Sequence, residues 1–401
     1  MIVRTLYLDR IRPFYDSEMI KVITGIRRCG KSTLLHQIID EISRNNIPKD
    51  RIIYLNFEDF KNQKLTEPQK LYEYINAQLK TTAKYYLFFD EIQEVHQFEL
   101  VVNSFRSTHN VSIFITGSNS KLLAGELATH LSGRTLSFKI LPFTFSEFCQ
   151  YKSDQKSIDY NILFKEYITY GGLPLVCGIE DNTSKEIILS NIYEAIVFKD
   201  IITRNNVTSP LLLEKVLNYV IGNSSLTVSG NAIANALTSS GEKVSSPLVY
   251  NYLKNIIDAC ICDKVSRYDI RGKRILAFEE KYYVSDLGFF HLKKNRVKDE
   301  YNYIMETLCY NELIARGYKV FIGKLWNNEI DFVAELNGKR IYIQVAYLLN
   351  NEKTMEREFG ALEKIPDNYP KYVISLDPFT LERAGIIHYN MLDFLLHKVA
   401  L

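Results

Sequence analysis

The chain has 401 residues, a hydrophobic content of 46%, a charged content of 24% and a formal net charge of +2 at pH 7. A polypeptide of this length and composition predicts two to four packed domains of an ordinary globular protein. The small net charge excludes a global field that would hold the chain on nucleic acid or a membrane, so any such contact must come from a local patch.

The cysteine pattern suits a reducing compartment, and the apolar segments are too short to predict a membrane span. The six cysteines are scattered without Cys-x-x-Cys or Cys/His ligand spacing, so neither a zinc site nor a disulfide framework is indicated. No stretch is apolar and long enough to suggest a membrane span, and the N-terminal residues lack the layout of a signal peptide. We therefore expect a cytoplasmic protein with no membrane partner.

A glycine-rich loop near the N-terminus fits the pattern G-x-x-x-x-G-K-[ST] and runs into a predicted helix at 32–42. Gly25 and Gly30 allow the backbone N–H groups to face phosphate oxygens, and the helix amino terminus adds partial positive charge. Lys31 is placed for the β- and γ-phosphates, and the Ser32 hydroxyl for Mg²⁺. The cofactor-binding residues predicted from this loop are Gly25, Ile26, Arg27, Arg28, Cys29, Gly30, Lys31, Ser32 and Thr33.

Strand and helix patterns alternate up to about residue 150, which predicts a parallel sheet with helices on both faces. The strand candidates are the apolar runs at 20–24, 51–57, 85–89 and 111–116. Asp90 and Glu91 follow the third run. A carboxylate at the end of a buried strand beside the loop can hold Mg²⁺, so Asp90 is predicted as a metal ligand together with Ser32. Glu91 is then placed to accept a proton from the water that attacks the γ-phosphorus.

Polar residues also follow the fourth strand candidate. Asn119 or Ser118 is a candidate for orienting the attacking water, with an ordinary Gly-Ser-Asn turn as the alternative. The extra strand at 51–57 and the Glu after Asp90 indicate the ATPase division of phosphate-loop proteins. Because the chain has no Asn-Lys-x-Asp guanine-binding motif after a later strand, ATP is predicted rather than GTP.

The middle of the chain predicts helices followed by a hairpin. Residues 159–206 look helical, with a break at Gly171-Gly-Leu-Pro174. Helices at 211–221, 229–237 and 245–259, then strands at 261–268 and 274–278, form the pattern of a winged helix-turn-helix. The candidate DNA contacts on its hairpin are Lys264, Arg267, Arg271, Lys273 and Arg274. The third helix lacks the side-chain cluster typical of base readout, so a role in packing or in communication with the ATPase core is an equal alternative.

The last hundred residues have the pattern of a metal-dependent nuclease with a damaged site. The predicted helix at 300–316 carries Glu306 and Glu312, and Asp331 and Gln344 lie on strands that follow. An active site of this kind needs a second carboxylate at 344 and a lysine two residues later, where this chain has an amide and an alanine. An amide is a poor Mg²⁺ ligand. We therefore predict a degenerate nuclease site formed by Glu312, Asp331 and Gln344.

Together these motifs resemble the AAA+-type P-loop ATPases of bacteria and archaea that carry a C-terminal domain of unknown function. The shared motifs are the loop at 25–33, Asp90-Glu91-Ile-Gln93, Thr116-Gly-Ser-Asn119, Leu131-Ser-Gly-Arg134, Leu141-Pro-Phe143, Gly171-Gly-Leu-Pro174 and Glu329-Ile-Asp-Phe332. The resemblance implies an α/β P-loop core at 1–150, a helical lid or linker at 151–207, a winged helix at 208–292 and a degenerate restriction-endonuclease-like domain at 293–401.

The resemblance also implies roles for single residues. The positions that match the Walker A and Walker B motifs are Lys31, Ser32, Asp90 and Glu91. Arg134 matches an arginine that touches the γ-phosphate either in cis or from a neighbouring subunit, which would require a homo-oligomer. Pro174 belongs to a Gly-x-Pro element where the lid meets the nucleotide, and Arg204 is a weaker candidate for phosphate sensing. The catalytic residues predicted in this way are Glu91, Lys31, Asn119 and Arg134.

The function that follows is Mg²⁺-dependent ATP binding and hydrolysis, with the nucleotide state coupled to a winged helix and to a nuclease-inactive C-terminal domain. Three alternatives stay open at this point. One is an ATP-gated DNA-binding regulator with slow hydrolysis, and another is an ATP-gated nuclease. The third is an interaction scaffold that binds nucleotide structurally. The expected ligands are ATP and Mg²⁺, and DNA is a candidate partner through the hairpin.

Overall fold

The computed structural model describes residues 2–120, 131, 133–153, 159–293 and 301–401. Contacts divide the chain into two compact units, and each has its own sheet. The first unit comprises Met1–Ile140 with Asp258–Cys260, and the second comprises Leu141–Ile257 with Ile261–Leu401. Within the described ranges, no helix is both long and apolar enough to cross a bilayer. The four domains drawn from the sequence, and the boundaries between them, stay predictions.

The first unit is an α/β layer structure. Its helices are α1 (Thr5–Ile11), α2 (Lys31–Arg44), α3 (Pro68–Asn76) and α4 (Phe98–Thr108), and its strands are β1 (Ile20–Thr24), β2 (Ile52–Asn56), β3 (Tyr85–Asp90), β4 (Val111–Gly117) and β5 (Thr135–Lys139). The strand order is β2-β3-β4-β1-β5, and every pairing is parallel. This sheet confirms the predicted α/β class.

The central strands explain why the sheet forms from these residues. Every residue of β3 and β4 is buried, as expected for strands covered by helices on both faces. The rings of Phe88 and Phe114, which are register partners, stack with centroids 4.6 Å apart. Since the strands are parallel, the carboxyl ends of β1, β3 and β4 meet at one edge of the sheet. The glycine-rich loop, Asp90 and Ser118 all begin at that edge.

An ionisable residue lies inside this core, at the second position of β1. Lys21 is fully buried, and its ammonium group donates to the Ser17 carbonyl oxygen at 3.0 Å and to Ser112 Oγ at 2.7 Å. Its nitrogen also lies 4.4 Å from the centroid of the Phe114 ring. Burial, with the positive charge of Lys84 added, lowers the pKa of Lys21 to about 7. Much of the population at neutral pH therefore carries an uncharged amine here.

Lys21→Met is expected to stabilise the protein at neutral pH and to remove part of its pH dependence. The folded pKa of Lys21 lies below its unfolded value of 10.5, so the unfolded state binds more protons between pH 7 and 10.5. Wild-type stability should therefore rise with pH across this window by about 2–4 kcal/mol, and the variant should lack that rise. Melting temperatures measured from pH 7 to 10 test this. The exposed Lys80→Met is the control, and an unchanged slope in Lys21→Met would contradict the assignment.

The second unit combines a helical half with a mixed sheet. Its helices are α5 (Phe145–Ser153), α6 (Tyr160–Tyr170), α7 (Pro174–Cys177), α8 (Asn182–Ala195), α9 (Pro210–Gly222), α10 (Gly230–Ser239), α11 (Ser246–Asp258), α12 (Leu287–Lys293), α13 (Tyr301–Ala315), α14 (Glu352–Glu363) and α15 (Met391–Leu395), with a π-helix at Ile196–Thr203. Its strands are β6 (Cys262–Asp269), β7 (Arg274–Val284), β8 (Lys319–Leu325), β9 (Asn328–Leu336), β10 (Lys339–Val345), β11 (Lys371–Ser375), β12 (Glu382–Arg383) and β13 (Ile386–Asn390). The end of α11 clusters with the first unit.

One eight-stranded sheet holds the predicted wing and the C-terminal strands together. The strand order is β12-β13-β11-β10-β9-β8-β6-β7, and β6 pairs in parallel with β8. The hairpin β6–β7 is therefore an edge of this sheet. β7 is longer than the strand predicted at 274–278, because it continues past Glu279 to Val284. Its pairing with β6 is interrupted after Leu276 and resumes at Lys281. The winged helix itself stays a prediction.

Candidate active site

The loop between β1 and α2 has the backbone geometry of a phosphate cradle. Gly30 is the N-terminal cap residue of α2 and has a left-handed φ of +104°. A Cβ atom at Gly25 would lie 2.2 Å from the carbonyl oxygen of Ile140, so a side chain there would displace the loop. The Lys31 ammonium donates to the carbonyl oxygens of Gly25 and Ile26 at 3.1 and 3.3 Å. The loop lies between a strand and a helix as predicted, and its binding of phosphate stays a prediction.

Lys31 and Glu91 face each other across the loop. The Lys31 Nζ atom lies 3.5 Å from Glu91 Oε1, and both side chains are buried. Burial opposes the charge of Lys31, but Glu91 and the Cys29 thiol leave its pKa raised overall. Burial likewise opposes the charge of Glu91, and Lys31 is the largest of the groups that leave its pKa lowered. Both groups are therefore charged at neutral pH and available to phosphate and to water.

The carboxylate of Asp90 is fixed by two hydroxyl groups that the sequence analysis did not single out. Tyr54 on β2 donates to Asp90 Oδ2 at 3.0 Å, and the Thr116 hydroxyl on β4 donates to Oδ1. Thr116 also accepts from the backbone N–H of Glu91 at 3.0 Å. Burial and the Asp90 charge raise the pKa of Tyr54, which keeps that phenol a donor. Tyr54 reaches Asp90 because Asn56 on β2 is the register partner of Asp90 and Tyr54 lies two residues earlier on the same strand, a relation that no local sequence pattern shows.

Glu91 has a second partner two residues along the chain. Gln93 donates its side-chain amide to Glu91 Oε2 at 2.5 Å, while Glu91 itself has a left-handed φ of +53°. Arg27 lies close enough to contribute to the lowered pKa of Glu91 and forms an ion pair with Glu58 at 2.9 Å. The carboxylate is thus held between a cation on one oxygen and an amide on the other.

An N-terminal arginine that no sequence motif indicated contacts the backbone of the loop. Arg4 is buried, and its guanidinium donates to the carbonyl oxygen of Cys29 at 3.1 Å. Its backbone N–H donates to the Gln37 side chain on α2 at 3.0 Å. A cation beneath the loop adds positive potential at the position where phosphate charge would lie.

The residues around this edge fit ATP with Mg²⁺. Ser32 lies in the first turn of α2, the helix that follows β1. Asp90 is the last residue of β3, and β4 lies between β3 and β1 in the sheet. A hydroxyl and a carboxylate oxygen are therefore available to the metal. Ser118 and Asn119 are buried where β4 ends, beside β3, and their role in orienting water stays a prediction. Ser120 Oγ lies 3.4 Å from the Asp258 carboxylate, which belongs to the same unit.

Arg134 lies at the wrong edge of the sheet for a role in its own chain's site. It immediately precedes β5, and its carbonyl oxygen accepts from the backbone N–H of Ile20, the first residue of β1. The loop begins after the last residue of β1, about 16 Å away along the strand. The Arg134 guanidinium donates to Asn103 at 3.1 Å instead. The cis alternative is therefore wrong, and action on a neighbouring copy stays a prediction.

Pro174 and Arg204 belong to the second unit, so their predicted roles toward nucleotide are untested. Pro174 is the first residue of α7, where its missing N–H costs no hydrogen bond. Two of the shared motifs contact each other beside it, since Phe143 N–H donates to the Gly172 carbonyl oxygen at 2.8 Å. Arg204 forms an ion pair with the buried Asp200 at 3.3 Å, at the end of the π-helix.

The turn before Pro174 is held by hydrogen bonds to the carboxylate of a buried aspartate. Asp286 accepts from the backbone N–H of Gly172 at 2.8 Å and from that of Gly288 at 2.9 Å. Gly171 has a φ of +77°, and a Cβ atom there would lie 1.8 Å from the Asp286 carboxylate. Burial raises the pKa of Asp286 to about 7, although these backbone donors oppose the shift. Asp286 is a residue that the sequence analysis missed.

Wild-type stability is expected to fall as pH rises from 4 to 7, and Asp286→Asn should make this fall smaller. The folded pKa lies above the unfolded value of 3.8, so the folded state binds more protons between pH 4 and 7. The contribution of Asp286 is fully present below pH 4 and falls by about 2–4 kcal/mol as pH rises to 7. Thermal unfolding at pH 4.5 and 7 should show a smaller difference in the variant. The exposed Asp159→Asn is the control, and equal differences in all three proteins would refute the assignment.

The five basic residues predicted to contact DNA do not share one environment. Arg267 is buried and forms an ion pair with Glu329 at 2.7 Å, so its prediction as a DNA contact is wrong. Lys264 pairs with Glu280 at 2.9 Å. The other three, Arg271, Lys273 and Arg274, lie at the exposed turn between β6 and β7.

The predicted nuclease residues are only partly brought together. Asp331 and Gln344 are neighbours, because Gln344 Oε1 accepts from the Asp331 backbone N–H at 2.7 Å. The Gln344 amide donates to Glu358 at 2.8 Å. Glu312 contacts Arg316 at 2.7 Å and His397 at 2.6 Å, and it lines a different pocket from Asp331. The prediction that Glu312 joins Asp331 is therefore wrong.

Glu306 takes the place predicted for Glu312, together with a lysine from another strand. Lys281 on β7 lies 2.8 Å from Glu306 and 2.7 Å from Glu329. Burial and the Glu306 charge raise the pKa of Asp331 well above its usual range. In the described part of the chain, no group of three or more His, Cys, Asp or Glu residues is arranged to hold a metal. The lysine ammonium supplies the positive charge that these acids face.

Comparisons with known proteins support the ATPase core. An AAA domain family model matches residues 17–149, and a Domain of unknown function (DUF8612) matches residues 161–299. An uncharacterized protein of Haemophilus influenzae is 38% identical over 377 residues, which are 94% of this chain and 93% of that protein. Uncharacterized protein MJ1544 of Methanocaldococcus jannaschii is 35% identical over 359 residues, 86% of this chain and 78% of that protein.

A solved structure agrees at the level of the fold. The Walker-type ATPase PABY2304 of Pyrococcus abyssi matches with a TM-score of 0.53 and 14% identity, over 73% of this chain and 95% of that one. Together with the AAA domain match, this likeness confirms the predicted P-loop ATPase fold. The endonuclease-like assignment of the C-terminal residues stays a prediction.

Proposed function

The chain belongs to the same family as these Haemophilus and Methanocaldococcus proteins, an AAA domain model matches its residues 17–149, and we propose that it binds ATP with Mg²⁺ and hydrolyses it. The observation that carries the proposal is the meeting of Lys31, Glu91 and Asp90 at one edge of the parallel sheet, beside a loop that only glycine at position 25 permits. A cation, a general base and a metal-binding carboxylate are the groups that phosphoryl transfer to water needs.

Each residue has a separate task in this proposal. The loop N–H groups and Lys31 hold the phosphates, with Arg4 adding positive potential from beneath. Ser32 and Asp90 hold Mg²⁺, which when bound neutralises charge on the phosphate oxygens. Glu91 takes the proton from the attacking water. Because the γ-phosphate would draw Lys31 away from Glu91, nucleotide binding releases that carboxylate for its role.

The second unit is proposed to respond to the nucleotide state. The support is the segment Asp258–Cys260, which ends α11 and yet clusters with the nucleotide-binding unit. Asp258 lies next to Ser120, one residue beyond the proposed sensor Asn119. A change at the γ-phosphate therefore has a short route, through one peptide bond and one hydrogen bond, to the last residue of α11.

A DNA-binding regulator with slow hydrolysis is the second candidate function. The three exposed basic residues of the β6–β7 turn favour it. The burial of Arg267 removes one of the five cations that were predicted to contact DNA. The nuclease alternative has weaker support, because Gln344 is tied to Glu358, Ala346 is packed in the core and Lys281 occupies the acidic cluster.

Steady-state ATP hydrolysis by the full chain tests the proposal. We expect turnover with Mg²⁺ and its loss when EDTA replaces the metal or when Asp90 is replaced by Asn. Stimulation by DNA would make the second unit a nucleic-acid sensor, and indifference to DNA would direct the search to a protein partner. Turnover no higher than that of Asp90→Asn would refute hydrolysis and leave a nucleotide-gated switch.

A further inference from the structure

Two turns lie together at one end of the eight-stranded sheet. The first joins β6 to β7 at residues 270–273, and the second joins β8 to β9 at residues 326–327. β6 and β8 are parallel neighbours, with Asp269 opposite Lys324, and Ile270 N–H donates to the Lys324 carbonyl oxygen at 3.0 Å. The strands that lead into the two turns, β6 and β8, therefore run in the same direction, so both turns lie at the same end of the sheet.

The second turn presents the single tryptophan of the chain. Trp326 is 54% exposed and has a left-handed φ of +53°. Bulky residues rarely adopt this conformation, and strained backbone of this kind is concentrated at functional sites. The Arg271 guanidinium of the first turn lies 5.7 Å from the centroid of the Trp326 ring. The exposed indole of one turn therefore has the guanidinium cation of the other turn close to its ring.

Positive charge surrounds this surface. In the described ranges, neither Arg271 nor Lys273 forms an ion pair with an acid. The nearest acid, Asp269, accepts from the turn N–H of Gly272 at 2.9 Å and lies 3.7 Å from Arg274. Lys324 lies 3.6 Å from the exposed Glu279. Glu279 also lies 3.6 Å from Arg267, so these two acids face Arg274, Lys324 and Arg267 rather than Arg271 or Lys273. The charge of Arg271 and Lys273 points to an anionic partner.

We propose that Trp326, Arg271 and Lys273 form a binding surface for single-stranded nucleic acid. In this proposal Trp326 stacks on a base, and the cations of Arg271, Lys273 and Arg274 contact the backbone phosphates. A single strand fits better than a duplex because its bases expose their faces, which the indole requires. Ile275, which is 55% exposed on the adjoining strand, adds an apolar surface for the same bases. This proposal does not depend on ATP hydrolysis.

Intrinsic fluorescence makes the test specific to this surface, because all tryptophan emission comes from Trp326. The full chain is titrated without nucleotide against a fluorescein-labelled 20-nucleotide oligothymidylate at low salt. Anisotropy reports binding, and an unlabelled strand reports quenching of the indole. We expect saturable binding that quenches Trp326 with the same midpoint.

Variants separate stacking from charge. Trp326→Ala should weaken binding roughly ten- to hundredfold, while Trp326→Phe retains most of it. Lys273→Glu should weaken binding and reduce the slope of log affinity against log salt. Tyr74→Ala, another exposed aromatic residue, is the matched control and should bind as the wild type does. Melting temperatures within a few degrees of the wild type show that the variants fold.

Three results would overturn the proposal. Binding without quenching of Trp326, or equal binding by Trp326→Ala, would place the nucleic acid elsewhere. Preference for a blunt duplex that is insensitive to Trp326 would leave a phosphate contact without base stacking. Absence of binding to either probe would direct attention to an acidic protein partner, and ATP hydrolysis measured on the same sample would be unaffected by that failure.

Discussion

Replacing Glu91 with glutamine is expected to lower steady-state ATP turnover by roughly 10²–10⁴-fold while leaving nucleotide bound. Glutamine has the shape of glutamate but cannot accept the proton of the attacking water. The variant should bind ATP at least as tightly as the wild type, because the phosphate would no longer compete with a carboxylate 3.5 Å from Lys31. Phosphate release and titration with a fluorescent ATP analogue measure the two effects separately.

The matched control for this variant is Glu94→Gln. Glu94 is an exposed carboxylate three residues further along the same turn, so the chemical change is identical and only the position differs. Glu94→Gln should hydrolyse ATP at the wild-type rate. If Glu91→Gln kept more than a tenth of the wild-type turnover, Glu91 would lose its role as the base.

The nucleotide-binding edge could be predicted from sequence because its signals are local. β1 lies at Ile20–Thr24 as the apolar run predicts. The loop and Asp90 can be recognised from the few residues directly beside them in the sequence. The supporting side chains could not be predicted in this way. Tyr54 and Thr116 reach Asp90 from two different strands, and Arg4 reaches the loop from the residue before α1. Their positions depend on strand order and register, which no local pattern specifies.

The errors have the same origin. Arg134 has a plausible motif, but only the parallel pairing of β1 with β5 shows that it lies at the amino ends of the strands. Glu306 and Glu312 are six residues apart on one helix, so they point in directions about 120° apart around its axis. Sequence alone could not decide which of them faces Asp331. Lys281 comes from a strand some fifty residues earlier than Asp331 in the sequence.

Lys31→Ala is expected to reduce ATP affinity by roughly 10²–10³-fold. The variant removes the side-chain cation that we propose for the β- and γ-phosphates, while the loop N–H groups remain. The rise in melting temperature that saturating Mg²⁺-ATP gives the wild type should disappear. Lys70→Ala, on the exposed face of α3, should keep both the affinity and the shift.

A loss of binding could also arise if Lys31→Ala simply failed to fold, and the structure supplies a way to separate the two causes. Without Lys31, the Glu91 carboxylate is buried beside its amide partner without its nearest cation, which should lower the melting temperature. Adding Glu91→Gln removes that uncompensated charge. The double variant should therefore recover stability toward the wild-type value but not ATP binding, because Lys31 contributes to phosphate affinity directly. Recovery of both properties would show that Lys31 serves mainly to neutralise Glu91.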